Sequence, residues 1–201
     1  MELVTLITSP IGTNTYILIN KSQKTAVVVD PGDNAPLIFD TLKKQDCVCS
    51  AVLLTHAHFD HCNATKELQN AGAKVYLYKE EQILLDTDFN LAHHFGIKFN
   101  AFTPDVTLDD GDNFDECGFN FTIIHTPGHT IGSVCYLYGN MIFSGDTLFK
   151  LGRGRTDFPT GDYGRLCQSI SKLFALDGDY IVYPGHGEKT LLDYERRYNL
   201  D

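Results

Sequence analysis

The chain is short of several things, and each scarcity closes off a class of protein. No segment approaches the ~20 apolar residues of a membrane-spanning helix, and the opening stretch MELVTLITSP has neither the basic nor the long apolar region of a secretory signal. A cytoplasmic location is the resulting expectation. Positive charge is scarce too: Lys and Arg number 16 against 26 Asp and Glu, for a net charge of -10. That balance repels nucleic-acid backbones and anionic membranes unless a local patch overrides it, so neither is an expected partner. Six cysteines (Cys47, Cys49, Cys62, Cys117, Cys135 and Cys167) never fall into C-x-x-C spacing, which argues against a thiolate zinc site and a disulfide framework. Low-complexity tracts and linkers are missing as well. With 201 residues, 43% hydrophobic and 21% charged, one domain spanning residues 1–201 is expected.

What is present is an alternation of strand and helix signals. Thr13–Ile19 and Thr25–Val29 are rich in β-branched residues and flank the polar NKSQK stretch, a hairpin pattern that runs into the turn residues Asp30-Pro31-Gly32. A helix is predicted over Asp33–Lys44, a buried strand over Ala51–Leu54, a helix after His61 closed by Gly72, a strand at Val75–Tyr78 and a helix at Glu80–Asp86. Between Thr87 and Asp112 the pattern weakens into a loop or lid. Strands follow at Phe119–Ile124, Ser133–Tyr138 and Met141–Phe143, the last two joined by the turn pair Gly139-Asn140. A helix over Asp162–Leu176, a strand at Ile181–Tyr183 and a helix near Leu191 complete the prediction.

The densest chemistry is in LLTHAHFDHC, Leu53 to Cys62, where three histidines and an aspartate follow an apolar run. A buried histidine needs partners for both ring nitrogens, and several packed into one loop are costly unless something binds them. A metal ion is the fitting occupant. Four further clusters sit where strands give way to loops: DPG (Asp30–Gly32), HTPGHT (His125–Thr130), SGDT (Ser144–Thr147) and PGHG (Pro184–Gly187). Such loops are where a rigid sheet aims several side chains at one point. His56 and His58, two apart in an extended loop, point the same way and can grip one ion, while Asp60 and His61 face a second. His129 would complete the first site and His186 the second, with Asp146 as the candidate bridging carboxylate. Asp30 either closes the turn after Val29 or fixes a ligand histidine's tautomer. His125 reads as an outer partner or a satisfied strand-end histidine, and His93 and His94 as solvated or lid residues.

In order and spacing these clusters resemble those of the metallo-β-lactamase-fold hydrolases, specifically the short glyoxalase II-like (hydroxyacylglutathione hydrolase-like) branch, from DPG at Asp30 to PGHG around His186. The resemblance implies an α+β fold, a four-layer αββα sandwich with the site at one edge of the two sheets. It implies a first metal held by His56, His58, His129 and Asp146, and a second held by Asp60, His61, Asp146 and His186. Aspartate rather than cysteine at the bridging position separates the chain from the true β-lactamases of the fold. Two divalent ions about 3.5–4 Å apart lower the pKa of a shared water and polarise the carbonyl it attacks. The resemblance also gives Asp60 a catalytic role, orienting the bridging hydroxide and taking its proton as the tetrahedral intermediate collapses. A thiolate leaving group needs little protonation, which suits thioesters.

The resemblance thins near the C-terminus. Full-length glyoxalase II enzymes carry a C-terminal helical region that holds the glycine carboxylate of glutathione, and this sequence ends soon after His186 without one. The loop KLGRGRTDF, Lys150 to Phe158, is a partial replacement: Arg155 matches a basic position that contacts the glutathionyl part of the substrate, and Lys150 and Arg153 could complete an anion clamp. The same GRTDF run occurs in persulfide dioxygenases of this fold, which hold one iron on the equivalents of His56, His129 and Asp146, a set suited to oxygen-activating ferrous iron. A nuclease would need extra domains and a basic surface, and a noncatalytic member would be expected to lack a ligand. The expectation is therefore a hydrolase with two divalent ions, zinc with iron or manganese as alternatives, acting on a small thioester such as S-D-lactoylglutathione. A lactonase activity and the iron dioxygenase are the alternatives.

Overall fold

Strands whose apolar residues are continuous rather than alternating are buried on both faces, and the two sheets of this protein have that character. A computed structural model describes residues 1–199. The first sheet runs in the order β1 (Glu2–Ile7), β2 (Asn14–Asn20), β3 (Thr25–Val29), β4 (Val48–Leu53), β5 (Lys74–Tyr78), β6 (Val106–Leu108). It is antiparallel as far as β3 and parallel from β3 to β6. The second sheet takes β7 (Asn113–Glu116), β8 (Phe119–His125), β9 (Val134–Tyr138) and β10 (Met141–Gly145). After a small ribbon of β11 (Leu148–Phe149) and β12 (Gly152–Arg153), it adds β13 (Ile181–Pro184), parallel to β10, and β14 (Thr190–Leu191) at its edge.

Period-two alternation sorts each strand's residues between two apolar layers. Along β2, Ile17 and Ile19 join Ile38 and Leu42 of α1 (Ala35–Lys44) and Leu68 of α3 (Thr65–Asn70) on the outer face. Tyr16 and Leu18 point the other way, into the layer between the sheets, where Val27 and Leu53 meet Phe121, Tyr136 and Phe143. A third layer joins Ile142 and Val182 of the second sheet to Leu166 and Leu173 of α5 (Tyr163–Phe174) and Leu192 of α6 (Leu192–Tyr198). The result is the αββα sandwich. Its helices start where local chemistry satisfies their free amides: Asn34 Oδ1 accepts from Leu37 N, and Asp162 Oδ1 from Arg165 N.

Two segments differ from the sequence reading. The helix after the histidine motif begins inside it: α2 (Phe59–Cys62) carries Asp60 and His61 on a helical turn, and α3 is a separate piece. The predicted helix at Glu80–Asp86 is a 3-10 turn followed by α4 (Gln82–Asp86), and the patternless stretch after it is largely irregular before it supplies β6. Edge strands β1 and β7 were also missed. Among the described residues no helix is long and apolar enough to cross a membrane.

Candidate metal centre

The carboxyl ends of β3, β4, β10 and β13, together with the loop after β8, converge on one point. His56 and His58 follow the end of β4, with His58, in extended backbone, as the residue before α2. Their ring nitrogens and one of His129 lie within 4.8 Å of one another, with His58 Nδ1 2.9 Å from His129 Nε2. A second trio, Asp60, His61 and His186, sits beside it: the two Nε2 atoms are 3.3 Å apart, and Asp60 Oδ2 is 3.3 Å from each. Asp146, from the turn after β10, stands between them. Its Oδ1 is 3.4 Å from His61 Nε2, and its Oδ2 is 3.6 Å from both His129 Nε2 and His186 Nε2.

The far nitrogens settle which lone pairs face inward. Thr55 Oγ1 gives its one proton to Asp30 Oδ2 (2.6 Å), so at 3.1 Å from the same hydroxyl His56 Nδ1 must be the donor and Nε2 carries a lone pair. His61 Nδ1 donates to Asp30 Oδ2 (3.0 Å), and His129 Nδ1 to the backbone oxygen of Arg155 (2.7 Å). Asp30 therefore orients two imidazoles, one through Thr55, and it does so from a left-handed backbone at φ 49°. Of the two readings of Asp30, the contacts to His61 and Thr55 are those that a tautomer-fixing residue makes.

Does this donor set fit a metal? His56 Nε2 and Asp146 Oδ1 are buried without any hydrogen-bond partner, an arrangement that is expensive unless a cation takes the lone pairs. Burial, reinforced by the neighbouring imidazoles, holds His56 and His58 well below the usual histidine range, and burial lowers His129 as well. They stay neutral, as ligation requires. In the second trio burial again opposes charge, but Asp60 and Asp146 prevail and raise His61 and His186: positive charge is welcome there. Burial pushes Asp146 up, yet His61 and His129 pull it down to about 2, and Asp60 is likewise held low by His61, His186 and Thr13 against its burial. Neutral imidazole nitrogens and ionised carboxylates in this number fit one or two divalent ions of the zinc, iron or manganese kind.

The surroundings hold residues that sequence reasoning missed. Glu81 is fully buried; its Oε1 accepts from Ala57 N (2.9 Å), and its Oε2 from Thr130 Oγ1 (2.9 Å) and Gly132 N (2.8 Å). It thereby ties the His56–His58 loop to the loop of His129. Burial lifts its pKa to about 7 in spite of those bonds. Thr13 Oγ1 donates to Asp60 Oδ2 (2.8 Å), and Asn14 Nδ2 donates to the backbone oxygens of Pro184 and Gly187 (2.9 Å each), pinning the His186 loop. Gly185 leaves room: a Cβ there would lie 2.2 Å from Asp146 Oδ1 and 2.6 Å from His61 Cε1.

The centre opens into a cavity of about 360 Å³ walled by Ile11, Phe59, Leu91, Phe95, Phe149 and Phe158, with Arg153 and Arg155 at its side. The guanidinium of Arg155 makes two bonds to Asp157 (2.7 and 2.6 Å) and lies 3.9 Å from the centre of the Phe158 ring. Arg153 lies over the Tyr163 ring at 5.0 Å. Lys150 is not brought to the cavity. It sits at the tip of the β11–β12 turn, lines a separate groove with Leu191 and Tyr194, and pairs with Glu188 (2.5 Å). His125 stacks on Tyr78 at 4.2 Å, and its Nε2 is 3.0 Å from the Ile131 backbone oxygen; His93 and His94 are exposed.

Comparison with known proteins agrees with this geometry. Residues 8–186 match the family model described as the metallo-beta-lactamase superfamily. The curated hydroxyacylglutathione hydrolase GloC of Haemophilus influenzae is 38% identical over 90% of this chain and 89% of its own. Among solved structures, the BLEG-1 B3 metallo-beta-lactamase superposes with a TM-score of 0.92 at 36% identity, covering 99% of this chain and 98% of that one. TTHA1623 in a di-iron-bound form superposes at 0.87 with 33% identity, covering 100% and 99%. With its fold, its ligand clusters and a match across most of its length in agreement, the chain belongs to the metallo-β-lactamase superfamily of metal-dependent hydrolases.

Proposed function

We propose that the protein is a dinuclear metal-dependent thioesterase that cleaves hydroxyacylglutathione-type thioesters, with zinc as the leading metal. The observation that carries this is the pair of donor trios meeting at Asp146 on the floor of a small cavity. His56, His58, His129 and Asp146 would hold one ion, and Asp60, His61, Asp146 and His186 the other. Bound there, the ions would polarise the substrate carbonyl and make water nucleophilic at neutral pH. The chain does the rest. Asp60, fixed by Thr13 and kept ionised by its histidine neighbours, is placed to take the proton released by the attacking water. Phe59, Leu91 and Phe158 keep bulk water from the floor, and arginines at the side face the carrier of the thiol. No general acid is needed for a thiolate leaving group.

The name of the relative GloC supports a hydroxyacylglutathione substrate, whereas BLEG-1 is named a β-lactamase. Zinc-loaded protein assayed with S-D-lactoylglutathione and with a chromogenic cephalosporin separates the two. Thioester turnover with two equivalents of metal is expected; β-lactam cleavage without thioester cleavage would overturn the proposal. One equivalent of iron with oxygen uptake on glutathione persulfide would replace it with the dioxygenase.

A further inference from the structure

The cavity has an apolar wall that reaches from the metal floor out into solvent. Phe59, the residue between His58 and Asp60, is buried at the floor among Leu91 and Ala92, and its ring lies 5.4 Å from that of Phe95. Phe95 is 48% exposed, and Ile11, on the turn between β1 and β2, is 54% exposed. These two large side chains come from separate segments, belong to none of the hydrophobic cores, and line the same cavity as Asp60, Asp146 and His186. Apolar surface held out in this way gains free energy only when something apolar covers it.

The polar side chains of the cavity complete the case. Apart from the metal-ligand set, its lining offers Arg153 and Arg155 and no hydroxyl or amide side chain. Arg155 gives one edge of its guanidinium, Nε–H and Nη2–H, to the carboxylate of Asp157. A hydroxyl on the acyl group meets no neutral side chain along this wall, so the wall itself ranks acyl groups by their apolar length. A carboxylate or phosphate on the thiol carrier meets the guanidinium of Arg153, which stacks on Tyr163 and has no acidic partner among the described residues.

The geometry points to a substrate whose acyl half carries an apolar chain, seated between Ile11 and Phe95 against Phe59, and whose thiol carrier is anionic and held by Arg153. This narrows the thioesterase proposal and rests on it for the cleavage step, but not for binding. S-alkylglutathione thioethers have no carbonyl and are not cleaved, so their affinity reads the wall alone. From S-methyl to S-hexyl, Kd should fall about fourfold per methylene, the value of burying a CH₂. In a set of 2-hydroxyacyl glutathione thioesters, kcat/KM should climb similarly from D-lactoyl to D-2-hydroxyhexanoyl. The double variant Ile11→Ser, Phe95→Ser should flatten both series. Since both positions are exposed, an unchanged melting temperature checks that the fold is kept. A flat thioether series overturns the inference. A steep thioether series with no thioester cleaved overturns the thioesterase proposal while leaving the apolar wall in place.

Discussion

The floor and the rim of the cavity are built differently. On the floor, three of the clustered imidazoles are anchored through their far nitrogen: His61 on Asp30, His56 on Thr55 and thereby Asp30, His129 on the Arg155 backbone. Glu81 and Thr13 then tie the loops and Asp60 in place. At the rim, Ile11, Phe95 and the Arg155–Asp157 pair stand in solvent, and Lys150 spends its charge on a neighbouring glutamate. Buried hydrogen bonds to charged groups are worth more than exposed ion pairs, by roughly 1.5–3 against 0.2–1 kcal/mol. In the proposed function, chemistry is assigned to the first kind of place and substrate choice to the second.

The strongest way to break the contrast is at the centre of the floor. Asp146→Ala removes the one carboxylate among the described residues that faces both trios. Metal analysis after dialysis should show both ions depleted, and kcat/KM should fall by more than the roughly 100-fold seen when only outer partners of ligands are lost. Two tightly retained metals with full rate would show that the floor does not depend on Asp146.

Glu81→Ala comes next. It leaves Ala57 N–H, Thr130 Oγ–H and Gly132 N–H without their acceptor, a loss on the order of 3 kcal/mol in unfolding free energy. The pH dependence has a definite sign. In the unfolded chain this carboxyl ionises near 4.5 and in the folded protein near 7, so between those values the folded state holds a proton that the unfolded state lacks. Stability then falls as pH rises through that window, and by on the order of 3 kcal/mol over the whole of it. In denaturant titrations of the metal-free protein from pH 4 to 8, Glu81→Gln should lack that decline relative to the parent. Parallel profiles would mean the folded group titrates normally.

Those residues also mark the limit of what could be seen in the sequence. The clustered histidines and aspartates were legible because histidine is uncommon and its clusters stand at strand ends, and β2, β3 and β4 were legible because continuous apolar runs betray strands buried on both sides. Glu81 and Thr13 look ordinary in sequence; their partners lie 24 to 51 residues away in one case and 47 in the other. β7 escaped because its asparagine and aspartate alternate with half-buried residues at a sheet edge. Lys150 is three residues from Arg153, but pairing of Leu148 with Arg153 across the ribbon puts it at the tip and turns it away from the site.

Asp30→Asn tests the floor more gently. Asparagine tolerates the left-handed backbone that Asp30 adopts, so the change isolates the carboxylate. One of its oxygens becomes an NH₂ facing a donor, either Thr55 N or the pair Thr55 Oγ1 and His61 Nδ1. Metal affinity measured against a competing chelator should weaken about 10- to 100-fold, with the melting temperature of the metal-free protein moving little by comparison. Equal affinity would mean the imidazoles hold their tautomers without Asp30.

The smallest effect belongs to the rim, and it separates two arginines that look alike in sequence. Arg155 has its guanidinium neutralised by Asp157, while its contribution to the floor is a backbone oxygen on His129 that no side-chain change removes. Arg155→Ala should therefore alter KM for an anionic thioester by less than about twofold. Arg153 faces the cavity with only an aromatic ring and a cysteine sulfur beside it, so Arg153→Ala should raise KM roughly three- to fivefold, the weight of one exposed charge contact, with kcat unchanged. The increase should shrink at high salt, since screening weakens exposed charges and leaves the buried floor alone. If Arg155 proves the more sensitive position, its pair with Asp157 opens when substrate arrives, and the rim is as ordered in its working state as the floor.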